Sequence, residues 1–155
     1  MNKYITLFII IFLSSFLIIS CTITPEPIRY GEEECAYCKM VISDNRFGAE
    51  LITVKNKAYK FDSIECLAAF NLKQTVSDEN THSLWITDFD TPGKIIDINS
   101  AYFFHSEKIR SPMGLNLSAF STEENAENAK MLFSGEIISW DSVLILVKQK
   151  WLTNR

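Results

Sequence analysis

Hydrophobic and polar positions divide the chain into a long apolar run at the N-terminus, followed by short β-rich stretches. Tyr4 to Ile19 is almost unbroken in apolar residues. Farther along, Ala49 to Val54 and Lys57 to Phe61 are rich in β-forming residues and are joined by the turn-like pair Lys55-Asn56. This pattern predicts a strand hairpin within the folded part of the chain, which is expected to start near Tyr30.

Two later segments carry apolar residues at helical spacing, and each begins with a capping signature. Asp62 is predicted as the N-cap of the first helix, with Glu65 as its reciprocal partner. Ser121 and Glu124 repeat this arrangement 59 residues later. The residues predicted to face the core are Ile64, Leu67 and Ala68 in the first helix, and Ala126, Ala129 and Phe133 in the second.

The remaining β-rich stretches complete a repeated order of elements. Ala101 to His105 and Leu117 to Phe120 precede the second helix, while Leu84 to Asp88 and Ile137 to Asp141 follow the first and second helices. Val143 to Trp151 is compatible with either a strand or a helix. We therefore predict an α+β fold of two similar ββαβ half-domains, residues 31–91 and 92–155, with a turn at Pro92-Gly93 near the boundary.

The N-terminal apolar run is typical of an export signal. Lys3 precedes it, and Ile18-Ile19-Ser20-Cys21 follows it and resembles a lipobox. We predict a signal peptide over residues 1–20, a lipidated Cys21, and a tether over residues 21–30 that contains two prolines. The alternative is an uncleaved membrane anchor. Both place the rest of the chain outside the cytoplasm and tethered to a membrane, without deciding between the inner and the outer membrane.

Composition narrows the possible partners. The 155 residues are 47% hydrophobic and carry a formal net charge of −4, which argues against nucleic-acid binding.

The number of cysteines bears on disulfide bonding. Once Cys21 carries lipid, three of the four cysteines remain free of lipid. An odd number in an oxidising compartment argues against a complete disulfide framework.

The run Cys35-Ala36-Tyr37-Cys38-Lys39-Met40 carries the most informative chemistry, because thiolates and thioethers are soft ligands that suit copper(I). On extended backbone, Cys38 and Met40 would project to the same side. Met113, in Ser111-Pro112-Met113-Gly114, is the best candidate for a third ligand. The alternative is a loop methionine that covers a hydrophobic gap.

The other cysteines and the histidines are less informative. Cys35 is a fourth ligand, an exchange ligand or the disulfide partner of Cys38, and the sequence leaves these open. Cys66 lies among Leu67, Ala68 and Ala69 and is interpreted as a small buried hydrophobe. His105 is expected at the surface at the end of a strand, and His82 in a polar loop.

Enzymatic signatures are absent from the sequence, which has neither a Ser-His-Asp set nor a glycine-rich phosphate loop. A binding protein is therefore favoured over an enzyme. The alternative is an exported thiol–disulfide oxidoreductase that uses Cys35 and Cys38. Because Val41 and Ile42 continue in β-type residues and no helix cap follows Cys38, the sequence favours a metal site.

The ordered series of motifs resembles the NosL family, lipoproteins that accompany nitrous oxide reductase. Its elements are the lipobox cysteine, CxxCxM before Val41-Ile42, Tyr59-Lys60-Phe61-Asp62, Trp85-Ile86-Thr87-Asp88, and Ser111-Pro112-Met113-Gly114 leading to Ala119-Phe120. The resemblance implies a periplasmic copper(I)-binding accessory protein with two ββαβ halves. It also implies that copper is supplied to the reductase together with a membrane transporter complex.

Carried over by position, the implied copper ligands are Cys38, Met40 and Met113. Two features depart from the family pattern. Leu115-Asn116-Leu117 stands where members often carry more glycine, and His105 has no counterpart in the pattern.

Overall fold

The computed structural model describes residues 23–153. The predicted signal peptide and the lipidation of Cys21 lie outside the described residues. The elements of the first sheet and its helix are β1 (Ala49–Thr53), β2 (Ala58–Phe61), α1 (Ile64–Leu72), β3 (Thr81–Thr87) and β4 (Ile95–Asp97). The second half contains β5 (Tyr102–His105), β6 (Leu117–Phe120), α2 (Glu123–Phe133), β7 (Glu136–Ile138) and α3 (Trp140–Val147).

Two antiparallel sheets repeat one strand order, which confirms the predicted α+β fold of two ββαβ halves. The first sheet has the order β2-β1-β3-β4 and the second has the order β6-β5-β7. In both halves the first strand is central and pairs with the second strand on one side and the post-helix strand on the other. The edge strand β4, which pairs with β3, was not expected from the sequence.

Both helices begin one residue later than the capping signatures predicted. The hydroxyl of Ser63 accepts the amide of Cys66 and caps α1, while Thr122 accepts the amide of Asn125 and caps α2. The expected caps are wrong because their side chains bond elsewhere. Asp62 is buried against the amide of Ser43, and Ser121 donates a 2.6 Å hydrogen bond to Asp88.

The last strand is shorter than expected, because β7 ends at Ile138 and Ser139 caps α3. The segment that the sequence left undecided is helical, with α3 followed by a π-helical turn over Lys148–Leu152. Val143 and Val147, four residues apart on α3, are buried in the core. His82 also departs from expectation, since it lies on β3 rather than in a loop, although it is exposed as a loop residue would be.

One hydrophobic core joins the two halves. Leu51 and Leu67 of the first half pack in the same buried cluster as Phe103, Leu117 and Val143 of the second. Helix α1 lies between its own sheet and α3, which explains why all residues from 64 to 70 are buried. Of the residues predicted to face the core, Phe133 is partly buried and the other five are fully buried.

The N-terminal segment joins this core before the expected start of the fold near Tyr30, since Ile28 is already buried in it. The half-domain boundaries themselves stay a prediction. Within residues 23–153, no helix has the length and apolar character needed to cross a membrane.

Candidate metal site

The CxxC motif lies in a tight hairpin loop over residues 34–41. Glu34 and Val41 form an isolated antiparallel bridge. Inside it, the Cys35 amide donates to the Met40 carbonyl at 2.8 Å, and the Lys39 amide donates to the Cys35 carbonyl at 3.1 Å. The expected extended backbone between Cys38 and Met40 is wrong, because Lys39 has a φ of 67°, in the left-handed region. The loop folds back on itself and brings Cys38 near Cys35.

Three cysteine sulfurs meet at this loop. The Sγ atoms of Cys35, Cys38 and Cys66 all lie within 4.8 Å of one another, and all three cysteines are free. Cys35 and Cys66 have no exposed surface, whereas Cys38 is half-buried. Cys66 is buried as the sequence predicted, but its sulfur belongs to the cluster. The structure therefore brings together two predicted cysteines and one that sequence reasoning had assigned to the core.

Hydrogen bonds favour the anionic form of the Cys35 sulfur. The Cys66 thiol donates to it and lowers the pKa of Cys35 to about 5 against the effect of burial, helped by the amides of Cys38, Asp62 and Tyr37. Burial raises the pKa of the Cys38 thiol. The pKa of Cys66 is also raised, by its hydrogen bond to Cys35 and then by burial. These shifts concentrate the thiolate character of the cluster on the Cys35 sulfur.

Two buried carboxyl groups lie near the cluster. Burial, and then the negative Cys35, raise the pKa of Asp62 to about 6. Burial also raises the pKa of Glu65, although the hydroxyl of Ser111 donates a hydrogen bond to it. Among the described residues, one oxygen of each carboxyl, Oδ1 of Asp62 and Oε2 of Glu65, is buried without a partner. Burial thus disfavours the charged form of both carboxyl groups.

Met113 and Cys38 share the wall of one surface cavity of about 700 Å³. The cavity is also lined by Ala36, Tyr37, Phe70, Lys73, Thr75, Lys150 and Trp151. Met113 packs partly buried against the main core, so it also covers apolar surface as the alternative interpretation expected. Met40 is 48% exposed and does not line the cavity.

The loop that carries Met113 is fixed by a turn and by contacts of Ser111. The Gly114 amide donates to the Ser111 carbonyl at 3.1 Å, and Gly114 has a φ of 79°, which glycine adopts without strain. The Ser111 hydroxyl accepts the Asn116 amide at 2.9 Å while it donates to Glu65. These bonds tie the methionine loop of the second half to α1 of the first.

His105 lies at the end of β5 and is partly exposed, as the sequence predicted. Its nearest charged partner is Glu136, with 3.8 Å between Nδ1 and the carboxylate oxygen. It does not belong to the sulfur cluster.

The sequence position of Cys66 indicates why it reaches the cluster. Cys66 follows β2 and the cap of α1 directly, so it lies beside the loop that docks on β2. In that contact the Ala36 amide donates to the Lys60 carbonyl at 2.8 Å.

The chain is similar to known proteins of one family. The profile of the family described as NosL matches residues 28–145. The chain is also similar to the crystal structure of the copper chaperone NosL from Shewanella denitrificans, with a TM-score of 0.66 and 22% sequence identity, over 77% of this chain and 95% of that one. At this identity the structural likeness supports the fold. No curated protein matches the sequence significantly.

Proposed function

The chain belongs to the NosL family, and from that premise we propose that it is a copper(I)-binding chaperone on a membrane, facing the periplasm. In this proposal Cys21 carries the lipid that anchors the chain. The protein supplies copper during maturation of the copper centres of nitrous oxide reductase, together with a membrane transporter complex. It binds copper and releases it without catalysing a reaction.

The observation that carries this proposal is the grouping of soft donors at one place. Three cysteine sulfurs lie within 4.8 Å of one another, and Met113 lines the same cavity as Cys38. Thiolates and thioethers select copper(I) over hard cations. We assign Cys38, Met40 and Met113 as ligands, with Cys35 as a further one.

Delivery of copper requires that a partner can reach the site. Cys38 is half-buried and Met40 is 48% exposed, whereas Cys35 has no exposed surface. A recipient therefore meets the site from the side of Cys38 and Met40. Copper can then pass by stepwise exchange, because each incoming ligand can replace an exposed donor while the buried one still holds the ion.

The alternative function, a thiol–disulfide oxidoreductase, has one observation in its favour, the lowered pKa of Cys35. Reactive cysteines combine a low pKa with partial exposure. Here the two properties fall on different residues, since Cys35 is fully buried and the accessible Cys38 has a raised pKa. This separation favours metal binding.

Copper binding is tested with the full chain in detergent, kept anaerobic with a reductant. We expect one copper(I) per chain, preference over zinc, and a sulfur-dominated shell by X-ray absorption. A shell of nitrogen or oxygen donors, or equal affinity for zinc, would contradict the proposal.

The recipient is tested separately by measuring copper incorporation into the metal-free reductase. We expect this incorporation to be faster from the copper-loaded protein than from a copper(I) chelate. Equal rates would remove the reductase as its specific recipient.

A further inference from the structure

Cys66 is fixed in space by elements separate from the CxxC loop. It is the third residue of α1, and its amide donates to the Ser63 hydroxyl at 3.4 Å. The helix is held on both sides, by its own sheet and by α3. The Cys66 sulfur therefore has a defined position that does not depend on the conformation of the loop.

The spacing of the three sulfurs suits a single ion. A thiolate bound to a metal of this size lies about 2.3 Å from it, so three thiolates around one ion in a plane are about 4.0 Å apart. In this structure all three Sγ atoms lie within 4.8 Å of one another. Only small side-chain movements separate the present arrangement from a three-coordinate site.

The direction of the Cys66 side chain is not explained by packing alone. A cysteine that only fills the core needs no polar partner. The Cys66 thiol instead donates to the Cys35 sulfur, which also receives three backbone amides. This end of the cluster is closed to solvent, since neither Cys35 nor Cys66 is exposed. Protein sulfurs thus surround one point that is closed to solvent on the side of Cys35 and Cys66.

We propose that Cys66 is a third cysteine ligand, so that copper(I) is held by Cys35, Cys38 and Cys66, with Met113 beside Cys38 on the cavity side. This inference rests on the proposed function, because it names the donors that retain the copper. Each thiol that binds the ion releases its proton to solvent. The two sulfurs without exposed surface hold the ion from the closed side, and Cys38 links this site to the thioethers that a recipient can reach.

The first test uses the unaltered chain, so that no variant needs to fold. The protein is produced with selenomethionine and loaded with one equivalent of copper(I), and X-ray absorption then separates cysteine sulfur from methionine selenium. We expect about three sulfur neighbours. Two sulfurs or fewer would overturn the assignment of Cys66, whereas a shell without sulfur or selenium would overturn the proposed function as well.

The second test compares Cys66→Ser with Ala68→Ser in the full chain. Both place a hydroxyl in the buried part of α1, but only the first removes a sulfur, so Ala68→Ser controls for damage to the core. In competition with a chromophoric copper(I) chelator, we expect Cys66→Ser to lower the affinity at least about tenfold relative to Ala68→Ser. Equal affinities of the two variants, both close to the unaltered chain, would show that Cys66 is not a ligand while leaving copper binding intact.

Discussion

The hydroxyl of Ser111 donates a hydrogen bond to the carboxyl group of Glu65, which lies 46 residues earlier in the chain and is buried at the start of α1. Glu65 directly precedes Cys66, and Ser111 lies two residues before Met113. One buried contact thus connects the methionine loop to the helix that positions a cysteine of the cluster.

The Ser111→Ala variant should be less stable by about 1–3 kcal/mol, because a buried carboxyl group loses its donor. Burial already raises the pKa of Glu65 in the folded chain, so its contribution to stability is greatest at low pH and is lost as pH rises through that pKa. Removal of the donor raises this pKa further. The cost of the substitution should therefore be largest at neutral pH and should shrink on acidification.

Chemical unfolding of the detergent-solubilised chain at pH 7.5 and at pH 4.5 measures this effect. Ser100→Ala is the matched control, because Ser100 is exposed and its hydroxyl donates only to the Asp97 carbonyl. Equal losses in the two variants at neutral pH, or a Ser111→Ala cost that grows on acidification, would contradict the prediction.

Met113→Ala should weaken copper(I) binding by roughly tenfold or more, about 1.4 kcal/mol, because a thioether beside Cys38 is removed. Met131→Ala is the control, since Met131 is 76% exposed on α2 and lies outside the cavity. Chelator competition under reducing conditions gives both affinities. If the two methionine variants bind equally well, Met113 only covers the core.

Met40→Ala should also weaken binding, and the effect should be clearest in the rate of copper transfer, because Met40 lies at the accessible side. Val41→Ala removes a side chain of similar exposure, 49% against 48%, and leaves every sulfur in place. Stopped-flow transfer of copper to a chelator compares the two variants. Identical rates would remove Met40 from the ligand set.

Oxidation should abolish most copper binding, and a reductant should restore it. Copper binds thiolates, so a disulfide within the cluster competes with the metal. Because the Sγ atoms of Cys35 and Cys38 already lie within 4.8 Å of each other, a disulfide requires a small shift rather than refolding. Alkylation followed by mass spectrometry identifies the oxidised cysteines, and chelator competition measures the affinity. Undiminished binding by a chain shown to contain the disulfide would refute the prediction.

Cys21→Ser should leave the protein unanchored or unprocessed, because the lipidated residue is removed. Fractionation of cells should recover the unaltered chain with membranes, and intact mass should show an acylated N-terminal cysteine after residue 20 is removed. Cys66→Ser is a suitable control for loss of a cysteine, since it leaves the lipobox unchanged. A mature unaltered chain without lipid would exclude the lipoprotein assignment.

Local sequence predicted most strands and both helices of the repeat, but missed each helix cap by one residue for a shared physical reason. Asp62-Ser63 and Ser121-Thr122 are both pairs of good capping residues. The first member of each pair is engaged in the tertiary structure, Asp62 near the Ser43 amide and Ser121 on Asp88. A choice between two adjacent caps depends on partners that are distant in sequence.

Prediction of the candidate site from the sequence is likewise limited by contacts between residues that are distant in the chain. Soft donors in CxxCxM and the Pro-Met-Gly loop can be recognised from their chemistry alone. The left-handed backbone of Lys39 cannot, because lysine rarely adopts it and a closed loop must impose it. Cys66 was assigned to the core because its neighbours are apolar. Its contact with Cys35 exists only once the loop docks on β2.

The repeated strand order gives two halves of similar design that carry different donors. The cysteines come from the first half and Met113 comes from the second, although both share a single core. An ion bound between Cys38 and Met113 cross-links the two halves. By mass action, loading then opposes any separation of the halves. Empty and filled molecules will thus differ in stiffness, which resistance to proteolysis or hydrogen exchange between the two halves can measure.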